Sequence, residues 1–291
     1  MKKNMTEIRY EYLKTPLKGL QGKYISIPFG MIVDEELDIK GVSIFAYLRI
    51  HCGLNDVVNF NIPDIIEWCG GKPDKRTNGL NDKYLNALDR LVDMGYLTYL
   101  NKKSRSGYIK CRFNTDYYYE ECANGYSSVY LDEVEKIMQY KRKNTRDNMA
   151  ININIFLIFA YLRHKIIRRP NELKPEERSI DKIKDRKERL PEAYDGYIID
   201  IAKEVGLSVK TVSRIIDILE QELRLIVTDR AFRVRNNDGE FRTLPIIFAN
   251  AYKRETSYLL LTEENYSRLE IEAKANKMKN YKINKNKRKN K

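Results

Sequence analysis

Histidine and paired cysteine are scarce in this sequence. It contains two histidines, His51 and His164, and its four cysteines form no C-x-x-C pair. Structural zinc sites are built from histidine and closely spaced cysteine ligands, so we expect no bound zinc. Cys52 and Cys69 lie in apolar segments typical of helices, as buried reduced thiols do, and this favours a reducing compartment. The acidic run at 34–38 is expected to be a solvated loop and not a divalent-ion site.

Signatures of common enzymes and of membrane proteins are also missing. There is no GxxxxGK[ST] loop for a nucleotide phosphate and no G-x-S-x-G elbow for a nucleophilic serine. The two histidines do not supply the His-hydrophobe-His pair of rolling-circle nickases or the arginine and histidine set of tyrosine recombinases. Segment 1–14 lacks the apolar core of a signal peptide, and no apolar run approaches the roughly 18 residues of a membrane span. We therefore expect a cytoplasmic protein that is not an enzyme, carries no cofactor and does not engage a membrane.

The positive charge is unevenly distributed along the chain. The formal net charge is +13, and residues 274–291 contain nine Lys or Arg residues and no acid. Most of the excess charge therefore lies in one tail. Such a tail favours polyanions through counterion release without selecting a sequence, which fits nucleic acid or an acidic membrane surface. A tail that only keeps the protein soluble is the alternative.

Residues 197–226 predict a helix-turn-helix. Gly206 can adopt the positive φ that ends one helix, and Ser208 can accept hydrogen bonds from the first free amides of the next. One apolar stripe is predicted to be buried on each helix, comprising Ile198, Ile201, Ala202 and Val205, and then Val209, Val212, Ile216 and Leu219.

The opposite face of the second helix is polar. Its side chains are Lys210, Thr211, Ser213, Arg214 and Asp217. Hydrogen-bond donors on an exposed second helix suit the major groove of duplex DNA. The candidates for contacts to bases are therefore Lys210, Thr211, Ser213 and Arg214. A helix-turn-helix that serves only as a packing element is the alternative.

The first half of the chain predicts three helices followed by a hairpin. After a strand at 24–28, the helices are expected at 42–51 with Ser43 as N-cap, at 61–69 with Asn61 as N-cap, and at 83–94 closed by Gly95. The hairpin strands are expected at 96–100 and 108–113. This is the order of elements in a winged helix.

The same order repeats in the second half. The sequence IFAYLR at 44–49 recurs at 158–163, and each copy is followed by a short helix ending in glycine, a second helix and a strand pair. In the second copy the pair is predicted at 225–228 and 232–235, continued by 241–248. The predicted fold class is mainly α with small β-wings (α+β), built from two tandem winged helix-turn-helix domains.

This repeat sets the predicted domain boundaries. They are an N-terminal arm at 1–23, a first winged-helix domain at 24–115, a connecting segment with a helix at 116–150, a second winged-helix domain at 151–250 with a charged insertion at 165–195, and a C-terminal helix and basic tail at 251–291. Tyr117, Tyr118 and Tyr119 are expected on a strand, where they serve packing or an interface and not base stacking.

Cations without apolar spacing are candidates for contacts to the DNA backbone. They lie in the first loop, on the third helix and in the wings: Lys72, Lys75, Arg76, Lys83, Lys102, Lys103, Arg105, Arg233 and Arg235. Phosphate contacts of this kind position a protein on DNA without specifying a sequence.

The opening YISIP followed by VSIFAYLRIH, together with the tandem winged units, resembles plasmid and phage replication initiators of Gram-positive type and DnaD-like replisome organisers. The resemblance covers residues 24–250 in architecture. It implies third helices in two successive major grooves of origin repeats, wings on the flanking backbone, and recruitment of host replication proteins. The pattern from Ala202 to Arg214 is shared by transcription regulators, so a regulator of a mobile element stays open. A protein-interaction adaptor also stays open, as does homodimerisation.

Overall fold

The computed structural model of the chain describes residues 23–53, 55–142, 148–168, 192–229, 233–235, 241–243 and 245–251. These residues form mixed helix and strand, as the α+β prediction requires, and fall into two compact units. The helical unit is drawn from Leu20–Lys165 and Ile199–Arg224, and the sheet unit from Ile166–Ile198 and the chain after Leu225. The predicted N-terminal arm, the C-terminal helix and the basic tail lie outside the described residues, apart from Lys23 and Ala251.

The helical unit contains most of the helices. In chain order its elements are β1 (Tyr24–Pro28), α1 (Phe29–Val33), α2 (Ile39–Ile50), β2 (Val57–Phe60), α3 (Ile62–Trp68), α4 (Leu80–Asp93), β3 (Leu97–Tyr99), β4 (Ile109–Phe113), α5 (Thr115–Ala123), β5 (Tyr126–Tyr130), α6 (Leu131–Met138), α7 (Met149–Lys165), α8 (Ile198–Glu204, entering the unit at Ile199) and α9 (Val209–Asp217). A π-helical turn, Ile218–Glu222, continues α9.

Helix α2 begins earlier than the sequence predicts. Its N-cap is Asp38, whose side chain accepts from the amide of Lys40 at 3.2 Å, and the prediction of Ser43 as cap is wrong. Ser43 is fully buried inside the helix and donates its hydroxyl to the carbonyl of Lys40 at 2.8 Å. A serine can sit within a helix when its hydroxyl is satisfied by the preceding turn. By contrast, α3 is capped as predicted, because the Asn61 side chain accepts from the amide of Asp64 at 2.8 Å.

The predicted hairpin of the first half is part of a three-stranded antiparallel sheet of order β2-β4-β3. Strand β2 was not predicted, because four residues are too few to give a clear alternating signal. Its pairing with β4 places Val58 opposite Cys111 and Phe60 opposite Ile109, all four of them buried. The centre of this sheet is therefore β4.

The two IFAYLR segments lie on the buried helices α2 and α7. Phe45 packs edge-on against Tyr96 and Phe113, with ring centroids 5.7 Å apart in both pairs. Ile158, Phe159 and their neighbours on α7 are buried along the whole segment. A helix that is apolar on every side is typical of a core position, so the repeated letters are accounted for by core packing.

Tyr117, Tyr118 and Tyr119 lie on helix α5, and their prediction as a strand is wrong. Asn114 caps the helix by accepting from the amide of Tyr117 at 3.3 Å. Helical spacing turns the three rings in different directions, so Tyr118 is buried while Tyr119 is exposed. The Tyr118 hydroxyl donates to the Ser26 carbonyl at 3.1 Å, which ties α5 to the β1–β5 ribbon.

The sheet unit contains β6 (Ile167–Arg168), β7 (Glu192–Gly196), β8 (Ile226–Asp229), β9 (Arg233–Arg235), β10 (Phe241–Thr243) and β11 (Ile246–Asn250). Its main sheet has the order β6-β7-β11-β8, and β9 pairs with β10. The predicted pairing of 225–228 with 232–235 is therefore wrong. Strand β8 pairs instead with β11, which places the buried Phe248 opposite the buried Thr228, and the Phe248 ring also stacks on Tyr194 of β7 at 5.9 Å. Of the predicted insertion at 165–195, residues 169–191 lie outside the described residues.

The two halves of the chain share one strand order. In β2-β4-β3 and in β7-β11-β8, the first strand in sequence is paired with the third, and the third is paired with the second. Both third helices also end at a residue with positive φ, Gly95 at +86° and Arg224 at +53°. The third helix of the second copy has one more residue before its positive-φ residue than that of the first. The π-helical turn holds this extra residue, and the Leu223 amide donates to the Ile218 carbonyl at 2.8 Å across it. The likeness of the two halves thus extends from the repeated letters to the strand order.

Candidate nucleic-acid interface

The turn between α8 and α9 forms as the sequence predicts. Gly206 has φ +65°, and the position of a Cβ there has no atom within 4 Å, so glycine is needed for its backbone conformation and not for lack of space. Ser208 caps α9 by accepting from the amide of Thr211 at 3.1 Å. Both parts of the predicted turn chemistry are confirmed.

The buried stripe of the helix pair differs from the predicted stripe at the first residue of each helix, and Ile198, which was predicted to be buried, is half-buried. Val212, Ile215 and Ile216 are fully buried on α9, and Ile215 was not in the prediction. Val209 was predicted to be buried and is 48% exposed. It belongs to the first turn of α9, which extends beyond the contacts that cover the rest of the stripe. The apolar period therefore predicts the burial of Val212, Ile216 and Leu219 correctly, misses Ile215 and is wrong for Val209.

The four candidates for base contact differ in their surroundings. Lys210 and Arg214 are exposed on the outer face of α9, one helical turn apart. The Thr211 hydroxyl is 2.8 Å from the Ser208 hydroxyl, so it takes part in the cap. Ser213 is half-buried. Lys210 and Arg214 are thus the side chains best placed to extend from the helix.

Cations beside α9 were not predicted. The Tyr140 hydroxyl, just after α6, donates to Glu222 at 2.8 Å and links this segment to the end of α9. Burial and this hydrogen bond raise the pKa of Tyr140 to about 12, while the charges of Arg142 and Arg214 oppose the rise. Arg142 is exposed, and its charge, like that of Arg214, acts on Tyr140. The sequence signal for this site was the basic run that begins at Lys141.

The third helix of the first copy presents a different charge pattern. Three of its solvent-facing positions are aspartates, and two of these bind cations of the wing. Asp82 pairs with Arg105 at 2.6 Å, and Asp89 pairs with Lys103 at 2.8 Å. Asp89 also accepts from the Tyr99 hydroxyl at 2.8 Å. The loop that joins β3 and β4 is therefore held against α4 by charge pairs.

The cations predicted to contact the DNA backbone fall into two groups, those paired with an aspartate and those that are exposed. Arg76 pairs with Asp74 at 2.9 Å, so it joins Lys103 and Arg105 as a cation already neutralised within the first copy. This hydrogen-bonded pair holds the pKa of Asp74 below its usual value. The other candidates of the first copy are exposed, and these are Lys72, Lys75, Lys83 and Lys102. Arg233 and Arg235 belong to β9, of which only the backbone is described here.

Comparisons with protein-family models, with curated proteins and with solved structures found no match to this chain. Within the described ranges, no group of three or more His, Cys, Asp or Glu side chains is arranged to hold a metal ion. In the same part of the chain, no helix has both the length and the apolar character needed to cross a membrane. The four cysteines are free thiols. Cys69 is buried, which raises its pKa to about 11, whereas Cys52 is only half-buried.

Proposed function

We propose that the chain binds double-stranded DNA by placing α9 in the major groove. The observation that carries this proposal is the outer face of α9, where the exposed Lys210 and Arg214 project from a helix anchored by a fully buried opposite face. The major groove of B-DNA admits one α-helix, and Lys or Arg side chains at its start can donate to guanine O6 and N7. Arg142, whose charge acts on Tyr140 as that of Arg214 does, adds positive potential that attracts phosphates.

The proposal assigns a winged helix to each half of the chain. Its support is that each half contains a helix, a strand, two further helices and an antiparallel strand pair in this order, with the strand between the first two helices pairing with the last strand. The second half adds β6 and the β9–β10 pair to this order. In the first copy these elements are α2, β2, α3, α4 and the β3–β4 hairpin. In the second copy they are α7, β7, α8, α9 and strands β8 and β11.

The two copies carry different contacts in this proposal. The second copy contacts bases, and the first contacts the DNA backbone through Lys72, Lys75, Lys83 and Lys102. Backbone contacts position a protein on the duplex, and base contacts specify the sequence. The basic tail at 274–291 adds affinity for any duplex through counterion release.

The biological role proposed is that of a replication initiator or replisome organiser of a plasmid or phage, which marks origin repeats and recruits host replication proteins. It rests on the resemblance of the YISIP and IFAYLR segments and of the tandem units. A transcriptional regulator of a mobile element would make the same DNA contacts. The test between them is whether the selected site occurs as repeats at an origin or singly at a promoter.

The experiment for DNA binding is selection of bound duplexes from random DNA by the full chain, followed by affinity measurement on the selected site. The variant Lys210→Ala/Arg214→Ala should lose the preference for that site. The matched control, Lys23→Ala/Arg112→Ala, removes the same charge from exposed positions outside α9 and should retain the preference. Enrichment of no sequence, or equal losses in the two variants, would refute base contact by α9.

A protein-interaction adaptor is the second candidate function, and the paired face of the first copy favours it. Asp82 and Asp89 neutralise Arg105 and Lys103, which are the cations that a DNA-binding wing would use. If the full chain binds no duplex at moderate salt, the adaptor function is favoured over DNA binding.

A further inference from the structure

The third helices of the two copies can be aligned by their buried positions. Both carry buried side chains at the same spacing, which pairs Tyr84, Ala87, Leu88 and Leu91 of α4 with Val212, Ile215, Ile216 and Leu219 of α9. The same offset pairs Asn81 with Val209. Each of these two residues lies in the first turn of its helix, the end that contacts bases when such a helix enters the major groove.

In the first copy this position is polar and covered. Asn81 is fully buried, its Nδ2 donates to the Arg105 carbonyl at 2.9 Å, and its Oδ1 accepts from the Asp74 amide at 2.8 Å. The preceding loop also closes over the helix start, because a Cβ on Gly79 would lie 2.7 Å from the carbonyl oxygens of Asp74 and Arg76. The start of α4 is therefore occupied by its own loop and wing.

In the second copy the position is apolar and open. Val209 is 48% exposed and stands between Ser208 and Lys210, which are exposed as well. The preceding turn leaves open space at Gly206. The two copies thus invert the usual preference, since the buried residue is the amide and the exposed residue is the aliphatic one. An apolar side chain at the uncovered start of α9 has a natural partner in the major groove, where thymine presents its C5-methyl group.

We infer that Val209 is a specificity-determining residue that contacts the 5-methyl group of a thymine in the bound site. The inference rests on the proposed binding of DNA by α9. Val209 selects thymine by burying its methyl group, and Lys210 and Arg214 supply the polar contacts beside it. The covered Asn81 gives the first copy no equivalent contact.

The test uses the full chain and the duplex selected from random DNA. Each thymine of the site is replaced in turn by deoxyuracil, which keeps the hydrogen-bonding edge and lacks only the methyl group. Affinity should fall about fourfold at one thymine of each bound repeat, the loss expected for one methyl-sized apolar contact. In Val209→Ala, affinity for the thymine duplex should fall by a similar factor, and deoxyuracil at that position should cause no further loss.

Ile199→Ala is the matched control, because Ile199 is an apolar side chain of the same unit that is 64% exposed and belongs to α8. This variant should keep the full sensitivity to deoxyuracil. A site without thymine, a wild-type protein insensitive to deoxyuracil at every position, or equal sensitivity in Val209→Ala would overturn the inference. In those cases a surviving site preference that depends on Lys210 and Arg214 leaves the DNA-binding proposal standing. If no duplex is selected, both the inference about Val209 and the proposal of DNA binding by α9 are refuted.

Discussion

In the two copies of the repeat, equivalent helix positions are buried, but the exposed side chains differ. Helices α4 and α9 bury side chains at the same spacing, yet α4 faces outward with Asp82 and Asp89, and α9 faces outward with Lys210 and Arg214. In the first copy the aspartates bind the wing, so the surface is closed by its own charges. In the second copy the helix start is uncovered. A duplicated fold can therefore keep its packing while only one copy retains an accessible contact face.

The arginines that end the two IFAYLR segments also differ in their surroundings. Arg163 is buried, donates from Nε to the Ser128 carbonyl at 3.0 Å and lies 3.6 Å from the equally buried Glu133. Arg49 is half-buried over the rings of Phe113 and Tyr118, at 5.0 and 4.5 Å. Both arginines lie over aromatic rings, since Arg163 is 5.4 Å from the Tyr130 ring and 5.7 Å from the Phe159 ring. They differ because Arg163 is in addition buried beside a carboxylate.

The largest expected effect comes from removing these arginines. Above the raised pKa of Glu133, Arg163→Ala should lower the free energy of unfolding by about 3–5 kcal/mol, because the ionised carboxylate of Glu133 would be left buried without its cation. Arg49→Ala should cost about 0.5–2 kcal/mol, the range for a cation over an aromatic ring. Denaturant unfolding of both variants measures the difference. Equal losses would contradict the distinction between the two copies.

The next largest effect is a dependence of the free energy of unfolding on pH, caused by the titration of Glu133. Burial raises its pKa from 4.5 to about 7, with Arg163 opposing the rise. The folded state therefore binds a proton more tightly than the unfolded state. The resulting stabilisation is fully present below pH 4.5 and is lost as the pH rises to about 7, on the order of 1–3 kcal/mol.

Glu133→Gln should remove this slope, since glutamine does not titrate. Unfolding free energies at several pH values between 4.5 and 8 compare the variant with the wild type. A wild-type stability that increases across this window relative to the variant would show that Arg163 holds Glu133 ionised.

A third prediction compares equivalent outward positions of α4 and α9. Arg214→Ala should cost about 1–3 kcal/mol on the selected site if Arg214 makes a bidentate contact to guanine. The equivalent residue of the first copy is the exposed Asn86, and Asn86→Ala should leave the affinity nearly unchanged. Gel-shift titrations on the selected site and on a scrambled site measure both. If Arg214→Ala weakens the two duplexes equally, Arg214 contacts phosphate and not a base.

The smallest effect is expected from breaking the ion pairs that α4 makes in the first copy. Asp82→Asn/Asp89→Asn keeps the shape of the side chains and releases Arg105 and Lys103 from their ion pairs. Binding to random duplex should strengthen, and its salt slope should steepen by up to about 0.9 for each cation that gains a phosphate contact. Stability should change by less than about 1 kcal/mol per pair, because these side chains are partly exposed. An unchanged salt slope would place the first wing away from the DNA.

Predictions from the sequence were most accurate where the determining residues are neighbours. The N-cap Asn61, the turn at Gly206 and the cap at Ser208 depend on contacts within a few residues, and all three form as predicted. Where the partner is distant in sequence, the prediction failed. Strand β2 exists because it pairs with β4, and β8 pairs with β11 instead of with the nearer segment 232–235.

The candidate site was predictable in its outline and not in its details. Lys210 and Arg214 could be placed on the outer face from the helical period alone. The exposure of Val209 could not, because it depends on what the rest of the fold leaves uncovered at the start of α9. The aspartates of α4 were visible in the sequence at helical spacing. Their pairing with Lys103 and Arg105 required the wing to fold back to the helix.

The sequence by itself determined the repeated IFAYLR segment, the turn between α8 and α9 and the charge on the outer face of α9, since helical period, capping and glycine conformation act over a single turn or two. Only the tertiary structure decided which copy is closed and which is open. That outcome depends on contacts between residues far apart in the chain, such as Asn81 with the Arg105 carbonyl, whose geometry no local pattern specifies. In the first copy, polar side chains of α4 form hydrogen bonds and ion pairs within the same copy. In the second copy, Val209, Lys210 and Arg214 are exposed.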